Sequence, residues 1–150
     1  QYLIKNTIMK ISLNRINEDY LFEATSSNGM NVLLDNKSKK EGKVEGISPM
    51  EVLLMGVAGC SSIDVVAILN KQRINPVTLR MEVEGIRDPN AVPAPFQEIN
   101  VSLFLEGEDI SPEKAKRAAQ LSFDKYCSVS KSLDPNIKIN QIIFVNEKKV

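Results

Sequence analysis

Histidine is absent from the 150-residue chain and cysteine occurs only twice. Without imidazole there is no Ser-His-Asp or Cys-His nucleophile, and two thiols are too few for a tetrahedral zinc site unless carboxylates complete it. Any proton transfer falls to Asp, Glu, Lys, Tyr or a thiolate. Cys60 and Cys127 stand too far apart in sequence for a CxxC redox motif. Net charge is also lacking: 19 basic residues balance 19 acidic ones. With no basic cluster either, nucleic acid and an anionic membrane are not expected as partners. No cationic leader with an apolar core and a small-residue cleavage site is visible, so the expected location is cytoplasmic. The hydrophobic share of 43% is enough to build one core. Residues 1–8 read as an extra segment ahead of a start at Met9, and residues 9–150 as a single domain.

What is present centres on residues 48–70, the longest apolar stretch, which reads as a helix. Ser48, Pro49 and Glu51 have the spacing of a capping box with proline at the first helical position. Beyond them apolar residues occupy every face, so the helix is expected to be enclosed on most sides. Gly56, Gly59, Ser61, Ser62 and Asp64 punctuate it, which speaks against a membrane span and for a close approach by another backbone.

Alternation of apolar and polar residues predicts strands over 8–14, 20–25 and 30–34, with Ser27-Asn28-Gly29 as a turn. The lysine-rich stretch 35–46 reads as a surface loop. After Asn75-Pro76, further strands are expected at 77–83 and 99–105, joined by the proline-rich connection 85–95. Ser111-Pro112-Glu113 starts a second helix with a small-residue stripe at Ala115, Ala118, Ala119 and Ser122. A short helix follows over 127–133, then a strand over 137–145. The result is an α+β chain of order βββ-α-ββ-α-α-β, without repeats or a linker.

The two cysteines raise a redox reading. In the first turn of a helix, the free amides and dipole would stabilise a Cys127 thiolate. Cys60 lies mid-helix with no cation on its own helix, and Asp64, one turn on, would oppose ionisation if it shared the pocket. Glu51 is the nearest acid on the amino-terminal side of Cys60. Nine residues at about 100° each set it on the opposite face, roughly 13 Å away along the axis. Either the helix breaks near Gly56, or Glu51 serves the Cys60 of a second subunit; a capping role alone would also account for Glu51.

The run Ser48-Pro49-Met50-Glu51-Val52-Leu53-Leu54, then Ala58-Gly59-Cys60, and later Tyr126-Cys127-Ser128-Val129, resembles the OsmC/Ohr family, the osmotically inducible and organic hydroperoxide resistance proteins. The resemblance covers nearly the whole chain. It implies an OsmC-like fold, with antiparallel sheets around two central helices in an intertwined homodimer that shares its sites between subunits. The implied activity is a thiol-dependent peroxidase of oxidative stress defence, needing no cofactor or metal. The cysteine matching Cys60 attacks an organic hydroperoxide and becomes a sulfenic acid; the one matching Cys127 closes a disulfide that a cellular dithiol reduces. In the peroxidase branches an arginine of the first hairpin pairs with the glutamate and polarises the thiolate, and Arg15 is the arginine available for that place. Gly59-Cys60-Ser61 and Cys127-Ser128-Val129 replace the Ala-Cys-Phe and Cys-Pro-Val of those branches, which marks a divergent subgroup.

Two other readings stand beside the enzyme. The same fold could hold a small apolar ligand between its helices and the 85–95 connection without turnover, or both thiols could simply be packed in a core.

Overall fold

A computed structural model describes residues 8–37, 42–76 and 78–150. Most of the expected amino-terminal segment, part of the lysine-rich loop and the first residue of the expected fourth strand lie outside these residues. The chain forms two compact units, Gln1–Val52 and Leu53–Val150.

The first unit carries a three-stranded antiparallel meander, β1 (Ser12–Arg15), β2 (Phe22–Thr25) and β3 (Asn31–Leu34), in the order β1-β2-β3. Polar side chains shape its turns. Asn17 Oδ1 accepts from the amides of Asp19 at 3.0 Å and Leu21 at 3.2 Å, an Asx-type turn. Gly29 takes φ +86° in the second turn, a conformation glycine reaches without strain. After β3 the chain folds back so that the Ile47 amide donates to the Leu33 carbonyl at 2.8 Å. A Cβ on Gly46 would sit 2.7 Å from the Leu34 carbonyl carbon, so only glycine fits there.

Helix α1 (Pro49–Lys71) runs unbroken through Gly56 and Gly59, which removes the option of a break. The Val52 amide bonds to the Ser48 carbonyl at 3.1 Å, but neither the Ser48 hydroxyl nor the Glu51 carboxylate makes a hydrogen bond among the described residues. The expected capping box is therefore not formed. The second helix does have its cap: Ser111 Oγ accepts from the Lys114 amide at 3.2 Å at the start of α2 (Pro112–Leu121).

The second unit contains a four-stranded sheet of β4 (Thr78–Arg87), β5 (Phe96–Glu106), β6 (Lys138–Val145) and β7 (Lys148–Lys149) in the order β4-β5-β6-β7. The α+β class and the element order are as expected, with β7 added. The pairings are not all antiparallel, since β5 and β6 run parallel. The chain between those strands crosses over through α2 and α3 (Ser128–Ser132), and a helical crossover returns a strand in parallel. Ile99, Val101, Leu103 and Leu105 alternate inward along β5 and are buried. Leu103 and Leu105 join Val65 and Leu69 of α1, Ala115, Ala118 and Ala119 of α2, and Ile143 and Val145 of β6 in one core. The alanines let α2 lie close to its neighbours, as the small-residue stripe predicts.

Enclosure of α1 is where the expectation fails. Its buried residues in this unit are Val57, Ser61, Val65 and Leu69, one residue per turn. Leu53, Met55 and Ile63 are 40%, 51% and 70% exposed. One layer of partners covers one stripe of a helix that is apolar all round. By length and composition α1 would suffice to cross a membrane. Val65 and Leu69 of its buried stripe join the core that holds the sheet and α2.

Candidate active site

Cys60 and Asp64 are four residues apart on α1, so their side chains project from one face, one turn apart. The partner segment arrives through an irregularity. At the end of α2 the chain widens into a π-helical turn, Ser122–Tyr126, closed by the Cys127 amide on the Ser122 carbonyl at 2.7 Å. This turn is where the helical pattern falters at Lys125-Tyr126. It ends with Cys127 in an extended conformation as the N-cap of α3.

Close packing follows from small residues on both sides. Ser122, fully buried, donates to Asp64 Oδ2 at 3.0 Å and approaches the Ser61 carbonyl at 3.4 Å. Ser61 Oγ in turn donates to the Val57 carbonyl at 2.6 Å. A Cβ on Gly56 would lie 3.4 Å from Val129 Cγ1, an ordinary van der Waals contact with α3. The expectation that small residues of α1 admit a close neighbour holds at Ser61, which meets Ser122, and not at Gly59, where nothing would lie within 4 Å of a Cβ.

The two cysteines, remote in sequence, come together. The sulfurs of Cys60 and Cys127 and a carboxylate oxygen of Asp64 all lie within 4.8 Å of one another. Both thiols are free; Cys60 is half-buried and Cys127 is buried. Burial pushes the Cys127 thiol pKa up, hydrogen bonds from Ser130 pull it down, and the neighbouring Cys60 pushes it up again. The Ser130 amide reaches Cys127 Sγ at 3.4 Å. The net direction is upward, opposite to the expectation from a helix start, because one amide of a five-residue helix does not offset the loss of water. No cation is among the groups acting on Cys127, and Asp64 has no ion pair among the described residues.

The other two expected site residues belong to the first unit. Glu51 is exposed in the first turn of α1. Arg15 is exposed at the end of β1, where its guanidinium donates to the carbonyls of Asp19, at 3.0 Å, and Glu18, closing the β1–β2 turn. Ser130 was not visible as a site residue in the sequence, since its role depends on the backbone conformation at Cys127. Ser122 was visible only as part of the small-residue stripe.

The family model for OsmC-like proteins matches residues 40–141. The chain belongs to the OsmC-like family. Protein YhfA of Escherichia coli K12 is 36% identical over 122 residues, covering 81% of this chain and 87% of YhfA. A crystal structure of a hypothetical protein from Aquifex aeolicus VF5 superposes with a TM-score of 0.78 at 27% identity, over 95% of this chain and 100% of that one. An organic hydroperoxide resistance protein from Elizabethkingia anophelis, crystallised with thiocyanate, shares the fold at a TM-score of 0.74 with 11% identity, over 96% of this chain and 100% of that one. Glu51, Cys60, Asp64 and Cys127 fall within the residues matched by the OsmC-like model, and Arg15 falls outside them.

Proposed function

We propose that this OsmC-like protein is a thiol peroxidase that reduces organic hydroperoxides in oxidative stress defence. The observation that carries the reading is the meeting of Cys60 and Cys127 with their sulfurs within 4.8 Å. Cys60, the more accessible thiol, attacks the distal peroxide oxygen as its thiolate. An S–O bond forms, the O–O bond breaks, and the alcohol leaves with a proton. Cys127 then attacks the sulfenic sulfur; the S–S bond forms and water leaves. A cellular dithiol returns both thiols by exchange. The apolar residues around Cys60 on α1 favour an alkyl hydroperoxide over hydrogen peroxide.

The working form is a homodimer in the cytoplasm. Support for the dimer comes from the uncovered face of α1, where Leu53, Met55 and Ile63 are exposed. With α1 continuous, Glu51 points away from Cys60 of its own chain by helix periodicity. In this reading Glu51 and Arg15 of a second copy complete the site and polarise the thiolate.

The test is consumption of cumene hydroperoxide with dithiothreitol as reductant. Wild-type protein turns over and Cys60→Ser does not; given one equivalent of peroxide without dithiothreitol, Cys127→Ser stops as a sulfenic acid that a dimedone adduct reports. Equal peroxide loss with wild type and Cys60→Ser rules the mechanism out.

A further inference from the structure

We propose that Cys60, Asp64 and Cys127 form a binding site for a thiophilic divalent cation, with zinc as the best match. The inference rests on the placement of three donor atoms and not on the peroxidase reading. One sulfur from each cysteine and one carboxylate oxygen lie within 4.8 Å of one another. Two thiolates and a carboxylate form a three-ligand set that zinc takes with a fourth position left open. Zinc–sulfur bonds of about 2.3 Å and zinc–oxygen bonds of about 2.0–2.2 Å put tetrahedral ligands roughly 3.5–3.8 Å apart. From separations of up to 4.8 Å, the ligand atoms must close by as much as about 1 Å to reach that geometry.

The surroundings favour a cation. Asp64 Oδ2 is held by the Ser122 hydroxyl at 3.0 Å, while Oδ1 makes no hydrogen bond among the described residues and is left to ligate. The Ser130 amide on Cys127 Sγ supports a thiolate in the same way that outer partners orient metal ligands. Three groups able to carry negative charge cluster at half-buried and buried positions, and among the described residues Asp64 has no cationic partner. As the metal binds, each thiol gives up its proton and the sulfurs stay reduced. Metal and disulfide therefore compete for the same two sulfur atoms, and a bound cation holds the pair unoxidised.

The experiment uses the full chain, reduced and stripped of metal. It is titrated with Zn²⁺ against a chromophoric chelator and separately with Co²⁺. The expected result is one equivalent per chain, a sulfur-to-cobalt charge-transfer band, and zinc-edge absorption showing two sulfur ligands at about 2.3 Å. Asp64→Ala weakens zinc binding at least tenfold, and Ser122→Ala, which leaves all three ligands in place, weakens it about 10- to 100-fold. Zinc bound without sulfur in its shell, or with equal affinity by the Cys60→Ser/Cys127→Ser double variant, overturns the proposal. The spectroscopic result needs no variant to fold. Peroxide consumption is measured in excess chelator, so the two ideas fail separately.

Discussion

Oxidation of the dithiol has a consequence for stability that can be worked out from the geometry. A bond between Cys60 and Cys127 closes a loop of about 67 residues, which in the chain-entropy treatment removes about 15 cal/mol/K from the unfolded ensemble, or about 4 kcal/mol at 25 °C. The sulfurs start within 4.8 Å and must reach about 2.05 Å, so any strain in α1 or the π turn subtracts from that figure. For a chain of this size, about 4 kcal/mol corresponds to a rise in Tm of roughly 10 °C. The assay treats reduced protein with one equivalent of cumene hydroperoxide, checks by mass spectrometry that a pair of hydrogen atoms is lost per chain, and compares thermal unfolding before and after. Cys127→Ser treated in parallel should show no gain. A Tm unchanged or lowered in protein carrying the intramolecular bond would refute the view that the sulfurs are already poised to join. A bond found only between chains, on a non-reducing gel, would do the same.

Other perturbations separate the parts of the argument. Light scattering should give twice the chain mass of 16.7 kDa for wild type, and Ile63→Glu should weaken that dimer by about 3 kcal/mol or more by setting a charge into the apolar contact; a monomeric wild type refutes it. With its pKa raised by burial, Cys127 holds its proton in the folded state at a pH where the unfolded chain has released it. That stabilisation is complete below the unfolded thiol value of about 8.5 and is lost as pH rises through the raised folded value, so urea midpoints should fall on the alkaline side, and less so in Cys127→Ser. Gly85→Ala should destabilise by about 1–3 kcal/mol in urea, because a Cβ there would stand 2.3 Å from Phe96 Cε1 on a buried ring; an unchanged midpoint would mean the ring moves aside freely.

The features legible in the sequence are those that depend on short spacing. Alternating apolar residues place β5 and β6, and Ser111-Pro112 marks the start of α2, because inward periodicity and a cap are local properties. The meander is likewise marked by its turn residues. The capping box at Ser48 was misleading because the motif supplies opportunity only, and here the side chains make no such bonds among the described residues. Strand β7 was missed because its tight turn uses Asn146 and Glu147 at φ +48° and +69°. Glutamate at a left-handed position carries none of the glycine signal that announces such a turn. The parallel pairing of β5 with β6 also has no local mark, since it depends on where a crossover of more than thirty residues returns the chain.

The site shows the same division between what spacing reveals and what packing decides. That Asp64 shares a face with Cys60 follows from four residues of helix, but that this face meets Cys127 depends on a π turn whose trace in the sequence is a break in periodicity at Lys125-Tyr126, which does not say where the chain goes next. The consequence is electrostatic. Helix-start reasoning makes Cys127 the acidic thiol, whereas desolvation makes it the reluctant one, and the neighbouring Cys60 adds to the cost of ionising it. Positive charge brought beside the sulfurs would favour a thiolate there. In the peroxidase reading that charge is an arginine brought by a second copy, and in the metal reading it is a cation held between the sulfurs. Activity that persists in Arg15→Ala under excess chelator would leave the thiolate without either source and would require the charge balance of the pocket to be redrawn.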